Sequence, residues 1–365
     1  MSATFPALET PHPKAMLSRE FILDGDNPFN FGPDVDRLYA PQYDVKNYSE
    51  TMWFTVWSPK NGVGLFLHTG RVNGHIDLWW ARAIAYLPNG RLVVDRSFGH
   101  AIDDSGPRTG NLTIQNISSG KNGKWSLRFD GAGEDTTRKA NRQSLSGAGP
   151  YVPMQFDIDV TGAAPIWDLV AATHDEKESQ GAVWMSRHTQ QGHLAKGKIT
   201  VGGESWDVDG IAYRDHSAGP RDMAGFGADS FVAAVFPKSG RVMNALQVWD
   251  IHGNLVHRSF YIYENGRMEM FRVGGVPRVH AIEDRDVEFV IAMRRLNGDE
   301  LIVKVRTVHG VIIAMNSPNV QRNGVPADTS GTLLLMETPI EIIWPDGEIG
   351  YGASERSLRP AQNPS

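Results

Sequence analysis

The chain of 365 residues contains no cysteine, so disulfides, a thiolate nucleophile and cysteine-ligated metal are excluded. It also lacks a basic surplus. Its 36 Lys and Arg against 42 Asp and Glu leave a formal charge of −6, without the field that nucleic-acid binding requires. No run approaches the roughly 18 apolar residues of a membrane-spanning helix, so no span is expected. The opening segment MSATFPALETPHPKAMLSRE has no apolar core of signal-peptide length, and a cytoplasmic location is the expectation. HxH and HExxH spacings are missing, and His188 and His193 alone do not make a metal site. So are GxxxxGK[ST], a GxGxxG that introduces a helix, and the GxSxG of a nucleophile elbow. Neither a metal nor a cofactor is therefore expected.

What is abundant is turn chemistry. Asn61-Gly62, Asn73-Gly74, Asn89-Gly90, Asn122-Gly123, Asn265-Gly266, Asn297-Gly298 and Asp346-Gly347 recur at short intervals. Such pairs tolerate positive φ and favour tight hairpins between alternating apolar runs. In VEFVIAMRRLNGDELIVKVRTV, Phe289, Ile291 and Met293 share a face before the turn. Leu301, Val303 and Val305 continue it, while Lys304 and Arg306 point away. Helical periodicity is confined to short stretches near Asp34–Leu38 and Pro165–Ala172. The expected fold class is all-β, with two antiparallel β-barrel domains packed together, residues 1–185 and 186–365. The break is placed near the polar THDEKESQG, and the ends 1–20 and RPAQNPS read as loose arms.

One stretch stands out chemically. After the hairpin at Gly202-Gly203 the strand runs through Trp206, Val208, Ile211 and Tyr213. It ends in YRDHSAGPRD, residues 213–222, with Gly219-Pro220 forcing a turn. Asp215 and His216 exchange protons near neutral pH if burial and a guanidinium shift them. Arg214 and Arg221 suit an anionic group, or hold Asp215 ionised. Arg–Asp pairs also fix strand corners without any chemistry, the preferred reading for Arg214 and Asp222. Strand neighbours point to opposite faces. Tyr213 and Asp215 facing inward would put Arg214 and His216 on the other side, unless the turn reverses the arrangement.

Elsewhere Trp79 and Trp80 face opposite sides of one strand, and Trp249, Tyr261 and Tyr263 supply aromatic walls or core. His100, Asp103 and Asp104 read as a solvated turn. Glu337 and Glu341 project from the apolar LLLMETPIEIIW, where a carboxylate must be paired, protonated or functional. Glu355 is read as an ion-pair partner of the 214–221 arginines.

The series His188…Gln191…Gly197, the Gly-Gly turn, VDGIAYRDHSAGPRD, PMQFDIDV (153–160), Trp167 and GYGASE (350–355) resemble the carotenoid 1,2-hydratase and AttH-like family. The resemblance is closer to a bacterial two-domain group with an RDHSWGxRD signature, and it spans residues 20–358. It implies tandem lipocalin-like barrels and, by analogy, water addition to an alkene through a cation that aromatic walls stabilise. One departure is Ala218, where the signature has tryptophan; a wider pocket would follow.

Cluster and resemblance together point to a cofactor-independent lyase or isomerase, hydratase-like, acting on a hydrophobic terpenoid, steroid or aromatic molecule. Asp215 is the proton-transfer residue, His216 its partner, and Arg214 and Arg221 are anchors. Trp80, Tyr213, Trp249 and Tyr261 are walls. The alternative is a lipocalin-like carrier that leaves its ligand unaltered. The expected partner is a hydrophobic small molecule, with no nucleic acid and no membrane span; a homodimer stays open.

Overall fold

The computed structural model describes residues 5–173, 186–221, 223–282, 287–317 and 320–360. Asp222, most of the polar stretch expected to mark the break, and the tail beyond residue 360 lie outside them. The all-β class holds. In the first sheet Tyr48–Ser58, Val63–Val72, His75–Leu87, Arg91–Ala101, Pro107–Thr109, Leu112–Ser118, Lys124–Thr137 and Tyr151–Gly162 pair in chain order. Tyr48–Ser58 continues into Glu204–Pro220 and Arg187–Val201, and the latter pairs with Tyr151–Gly162 to close a barrel of ten strands.

The second sheet is built on Phe226–Phe236, flanked by Arg241–Asp250, Leu255–Glu264 and Arg267–Phe271 on one side. Ile349–Leu358, Leu333–Ile343, Glu300–Thr307 and Glu288–Arg294 follow on the other. The change of sheet thus falls between Pro220 and Phe226, and both 187–220 strands belong with the barrel. The described start of the chain, from residue 5, is not loose. Met16–Leu17 pairs with Leu255–Glu264, and Phe21–Asp24 pairs with Arg267–Phe271, so the first strands complete the second sheet. The stretches 34–38 and 165–172 form turns and a short strand; the one α-helix among the described residues is Arg138–Gln143, capped by Thr137.

Turn chemistry fixes register. Gly202 and Gly203 have φ of +58° and +92°, the two-residue geometry that matches strand twist, and place Val201 opposite Glu204. Counting back along this hairpin, Gln190 falls opposite Asp215 and His188 opposite Ser217. A slip of one residue would turn every side chain of both strands to the wrong face.

Three cores result. Met52, Phe54, Leu65, Leu67, Leu127 and Ile158 fill the barrel. Val232, Phe236, Ile291, Met293, Val303 and Ile342 gather under the second sheet, which curls round them. The third cluster lies between the sheets and includes Trp53, Phe66, Ile84, Tyr213, Phe231 and Leu246. Tyr48–Ser58 is buried at every position because one face fills the barrel and the other meets the second sheet.

Candidate active site

A cavity of about 170 Å³ lies in this inter-sheet layer. Its barrel wall is made of cross-strand rows on the outer face. Gln190, Asp215, Trp53, His68 and Arg82 stand directly opposite one another on five successive strands. The next row runs His188, Ser217, Thr51, Gly70 and Trp80. A Cβ at Gly70 would stand 2.8 Å from both the Trp80 indole and the Thr51 methyl, so the missing side chain lets the indole lie across the row. The facing wall comes from the second sheet, with Leu246, Phe231, Glu355 and Glu337 aligned across four strands. Val248, Asp229, Leu335, Ile313, Leu333 and Met315 surround that row.

Asp215 points into the cavity, with 20% of its side-chain surface exposed there. His188 Nε2 lies in hydrogen-bond contact with Asp215 Oδ2, and Gln190 donates to the same oxygen at 2.7 Å. Burial raises the Asp215 carboxyl. The His188 charge and the His188 and Gln190 bonds outweigh it, with help from Arg221, and the group sits below its ordinary value. Gln190 is itself held. Its Oε1 accepts from Tyr213 at 3.3 Å and Asn244 at 3.1 Å, and Tyr213 and Tyr261 share a 2.9 Å hydroxyl contact. Arg221 donates to Ser217 at 2.7 Å; burial lowers its pKa, while Asp215 and Glu355 favour its charge.

Three carboxyls on the opposite wall behave in the reverse way. Glu337 and Glu355 are direct cross-strand partners joined by a hydrogen bond, and Glu355 also bonds Asp229, which takes a bond from Ser357. Burial first, and then neighbouring carboxyls, push Asp229 and Glu355 well above the carboxylate range. Burial lifts Glu337 to about 8; Asp229 adds to the rise, and Glu355 and Arg82 oppose it. These are neutral acids at neutral pH.

A stability test follows. The folded chain keeps a proton on Glu337 that the unfolded chain releases above its ordinary 4.5, so this contribution is complete below that value and is lost as pH rises toward about 8. The unfolding free energy should fall by about 1.4 kcal/mol per pH unit for one such group between roughly pH 5.5 and 7.5. Glu337→Gln should flatten the slope seen in urea titrations, and an unchanged slope would assign those protons elsewhere.

The structure separates the residues of YRDHSAGPRD by parity. Asp215 and Arg221 line the cavity, and Trp80 joins them from the barrel wall. His216 does not: the strand turns it to the barrel side, where Nε2 contacts Glu50 at 2.9 Å and the ring stacks on Tyr39. The imidazole beside Asp215 is therefore that of His188 rather than His216. Arg214 also faces the barrel interior, 2.8 Å from Asp36 and over Trp125, so it contacts nothing in the cavity. Tyr213 and Tyr261 stand one layer behind the wall, supporting Gln190, because their hydroxyls are spent on that network. Trp249 is remote, sealed under the N-terminal arm with its indole N–H donated to Glu9 at 2.7 Å. Ala218 has the parity of Arg214 and His216 and does not line the cavity, so the departure there leaves the cavity's width untouched. His100, Asp103 and Asp104 lie away from it, and Glu341 is paired with Arg306. His188, Gln190, His68 and Asp229 are among the cavity residues to which the sequence reading gave no role in the site. Counting register from Gly202-Gly203 would have placed Gln190 and His188 beside Asp215. Among the described residues no three His, Asp or Glu side chains are grouped as a metal site.

A family model described as a domain of unknown function, DUF7064, matches residues 33–359. The chain belongs to that family. No curated protein matches the sequence. Among solved structures, a candidate AttH protein of Nitrosomonas europaea is similar at TM-score 0.55 and 12% identity, over 88% of this chain and 95% of that one. Kievitone hydratase of Nectria haematococca is similar at 0.45 and 13%, over 93% and 98%. CghA is similar at 0.48 and 10%, over 94% and 99%. For the AttH protein the likeness is one of fold, and it extends the lipocalin-like architecture across nearly all of this DUF7064 chain.

Proposed function

We propose that this chain is an acid–base enzyme needing no redox group, a hydro-lyase or isomerase for a hydrophobic small molecule held between the sheets. One observation carries the reading: carboxyls pushed in opposite directions share a single largely apolar cavity. Asp215 is stabilised as an anion by His188 and Gln190, while Glu355, with Glu337 and Asp229, keeps its proton. Environments that drive two titratable groups apart assign a base and an acid.

In a dehydration, Asp215 takes a proton from carbon while Glu355 protonates the departing hydroxyl. The C–H and C–O bonds break, the alkene forms and water leaves. Asp215 then holds a proton and Glu355 is ionised; return of that proton restores both. Arg221, whose charge both carboxyls favour, offsets the negative charge that passes between them. Hydration is the same path reversed, and an isomerase returns the proton to a different carbon. Trp53, Trp80 and Phe231 offer ring faces to electron-poor carbon.

The test is incubation of the full chain with an extract of apolar metabolites, followed by mass spectrometry. A product differing by one water, or an isomer of unchanged mass, is expected from the parent and not from Asp215→Asn. Recovery of the same unaltered ligand from both would make the protein a carrier and end the enzymatic reading.

A further inference from the structure

Most polar side chains of the cavity are spoken for. Thr51 bonds Ser217, Ser217 accepts from Arg221, and Gln190 bonds Asp215. Among the described residues Oε2 of Glu337, Nδ1 of His188 and the indole Nε1 of Trp53 keep no hydrogen bond, and none engages either ring nitrogen of His68. Glu337 and His188 are anchored through their other polar atom. His68 and Trp53 have no such anchor, and of these two cavity-lining groups only the imidazole can both donate and accept.

Its ring is nonetheless fixed. Phe66 meets it edge-on at 6.0 Å and Trp80 at 4.9 Å, while Trp53 and Arg82 stand directly opposite on the neighbouring strands. A ligand would find the imidazole already oriented and would pay little ordering entropy. Burial first, then Arg82 and Arg221, hold the ring neutral by lowering it to about 3, against the weaker pull of Asp215. A neutral imidazole offers one donor and one acceptor.

The cavity's charges are already matched. Among the lining groups the Asp215 carboxylate and the Arg221 guanidinium favour each other's charge, while Arg82 stands outside the lining and donates to Gln321 at 2.7 Å. An anionic ligand would meet the Asp215 carboxylate, and a cationic one the Arg221 guanidinium, each already opposed by the other. Size narrows the class further. The volume of about 170 Å³ is close to the roughly 150 Å³ of an apolar protein cavity that holds benzene. One six-membered ring with short substituents fits, and a fused tetracycle does not.

We propose that His68 recognises a hydroxyl or carbonyl oxygen on an uncharged substrate built on a single six-membered ring. This rests on the acid–base reading of the same cavity, yet it can be tested by binding alone. Phenol, toluene, benzoate and benzylammonium would be titrated into the full chain by calorimetry at neutral pH. Phenol should bind about tenfold more tightly than toluene, the worth of one neutral hydrogen bond, and benzoate and benzylammonium more weakly than either. His68→Phe should erase the phenol preference, and His68→Gln should keep part of it, both with the parent circular dichroism. Equal binding of benzoate and phenol, a preference that survives in His68→Phe, or no binding by any probe would overturn the assignment. Turnover by Asp215→Asn would instead sink the acid–base reading and leave this binding result standing.

Discussion

Asp215→Asn is expected to lower turnover about 10²–10⁴-fold, the usual contribution of a positioned proton-transfer group. Asparagine keeps the shape and still accepts from Gln190, so the urea midpoint should stay close to the parent's. The pH profile gives a second readout. Activity should fall in acid as Asp215 takes a proton, with its limb below the ordinary carboxylate range because His188 and Gln190 hold the anion. It should fall again in base as the Asp229, Glu337 and Glu355 group releases protons, Glu337 doing so near 8. These limbs belong to coupled groups and need not each map onto one residue. Undiminished turnover by the asparagine variant would remove Asp215 from the chemistry.

The second large effect concerns stability. Glu50 is fully buried and bonds Arg71 at 2.7 Å, His216 at 2.9 Å and the Tyr39 amide at 2.9 Å. Arg71 also donates to the Tyr39 carbonyl at 3.0 Å, so one carboxylate ties residue 39 to the barrel end. Glu50→Ala strands buried positive charge and should cost about 3–5 kcal/mol of unfolding free energy. Burial raises the Glu50 carboxyl, but His216, Arg71 and the Tyr39 amide more than reverse this and leave it below the ordinary 4.5. Its contribution is thus present above that value and lost as pH falls through the lower folded one, so parent and variant should converge in acid. His216→Ala should likewise weaken the fold while each folded molecule turns over normally. A Glu50→Ala variant as stable as the parent would refute the role given to this cluster.

These two experiments divide one motif into two jobs, and that division was only half legible in the sequence. Alternation along Tyr213, Asp215 and Ser217 foretells that Arg214 and His216 face away; which face meets a cavity depends on the second sheet, which no local pattern reveals. The hairpin around Asn297-Gly298 was legible in full. Ile291, Met293, Leu301, Val303 and Val305 are buried, and Lys304 and Arg306 exposed, because turn type and alternation agree there. The Asp229, Glu337 and Glu355 group was not. Glu337 and Glu355 share the Asp346-Gly347 hairpin, but Asp229 lies on a strand far upstream that only sheet pairing brings to them, so Glu337 read merely as a carboxylate that had to be paired, protonated or functional. The N-terminal arm misled for a similar reason. Its prolines and charges look loose, but its partners lie in Leu255–Phe271.

That arm has a consequence for how the molecule comes into being. The strands at Met16–Leu17 and Phe21–Asp24 leave the ribosome before the barrel, yet their partners emerge only after the whole barrel has been made. Their docking closes one of the longest loops in the chain, a slow step whose waiting edges invite aggregation. The nascent barrel displays Asp215 and its aromatic neighbours to solvent until Phe226–Phe236, Leu333–Ile343 and Ile349–Leu358 arrive with the acids. The cavity is thus enclosed only after Ile349–Leu358 has been made, long after its barrel wall.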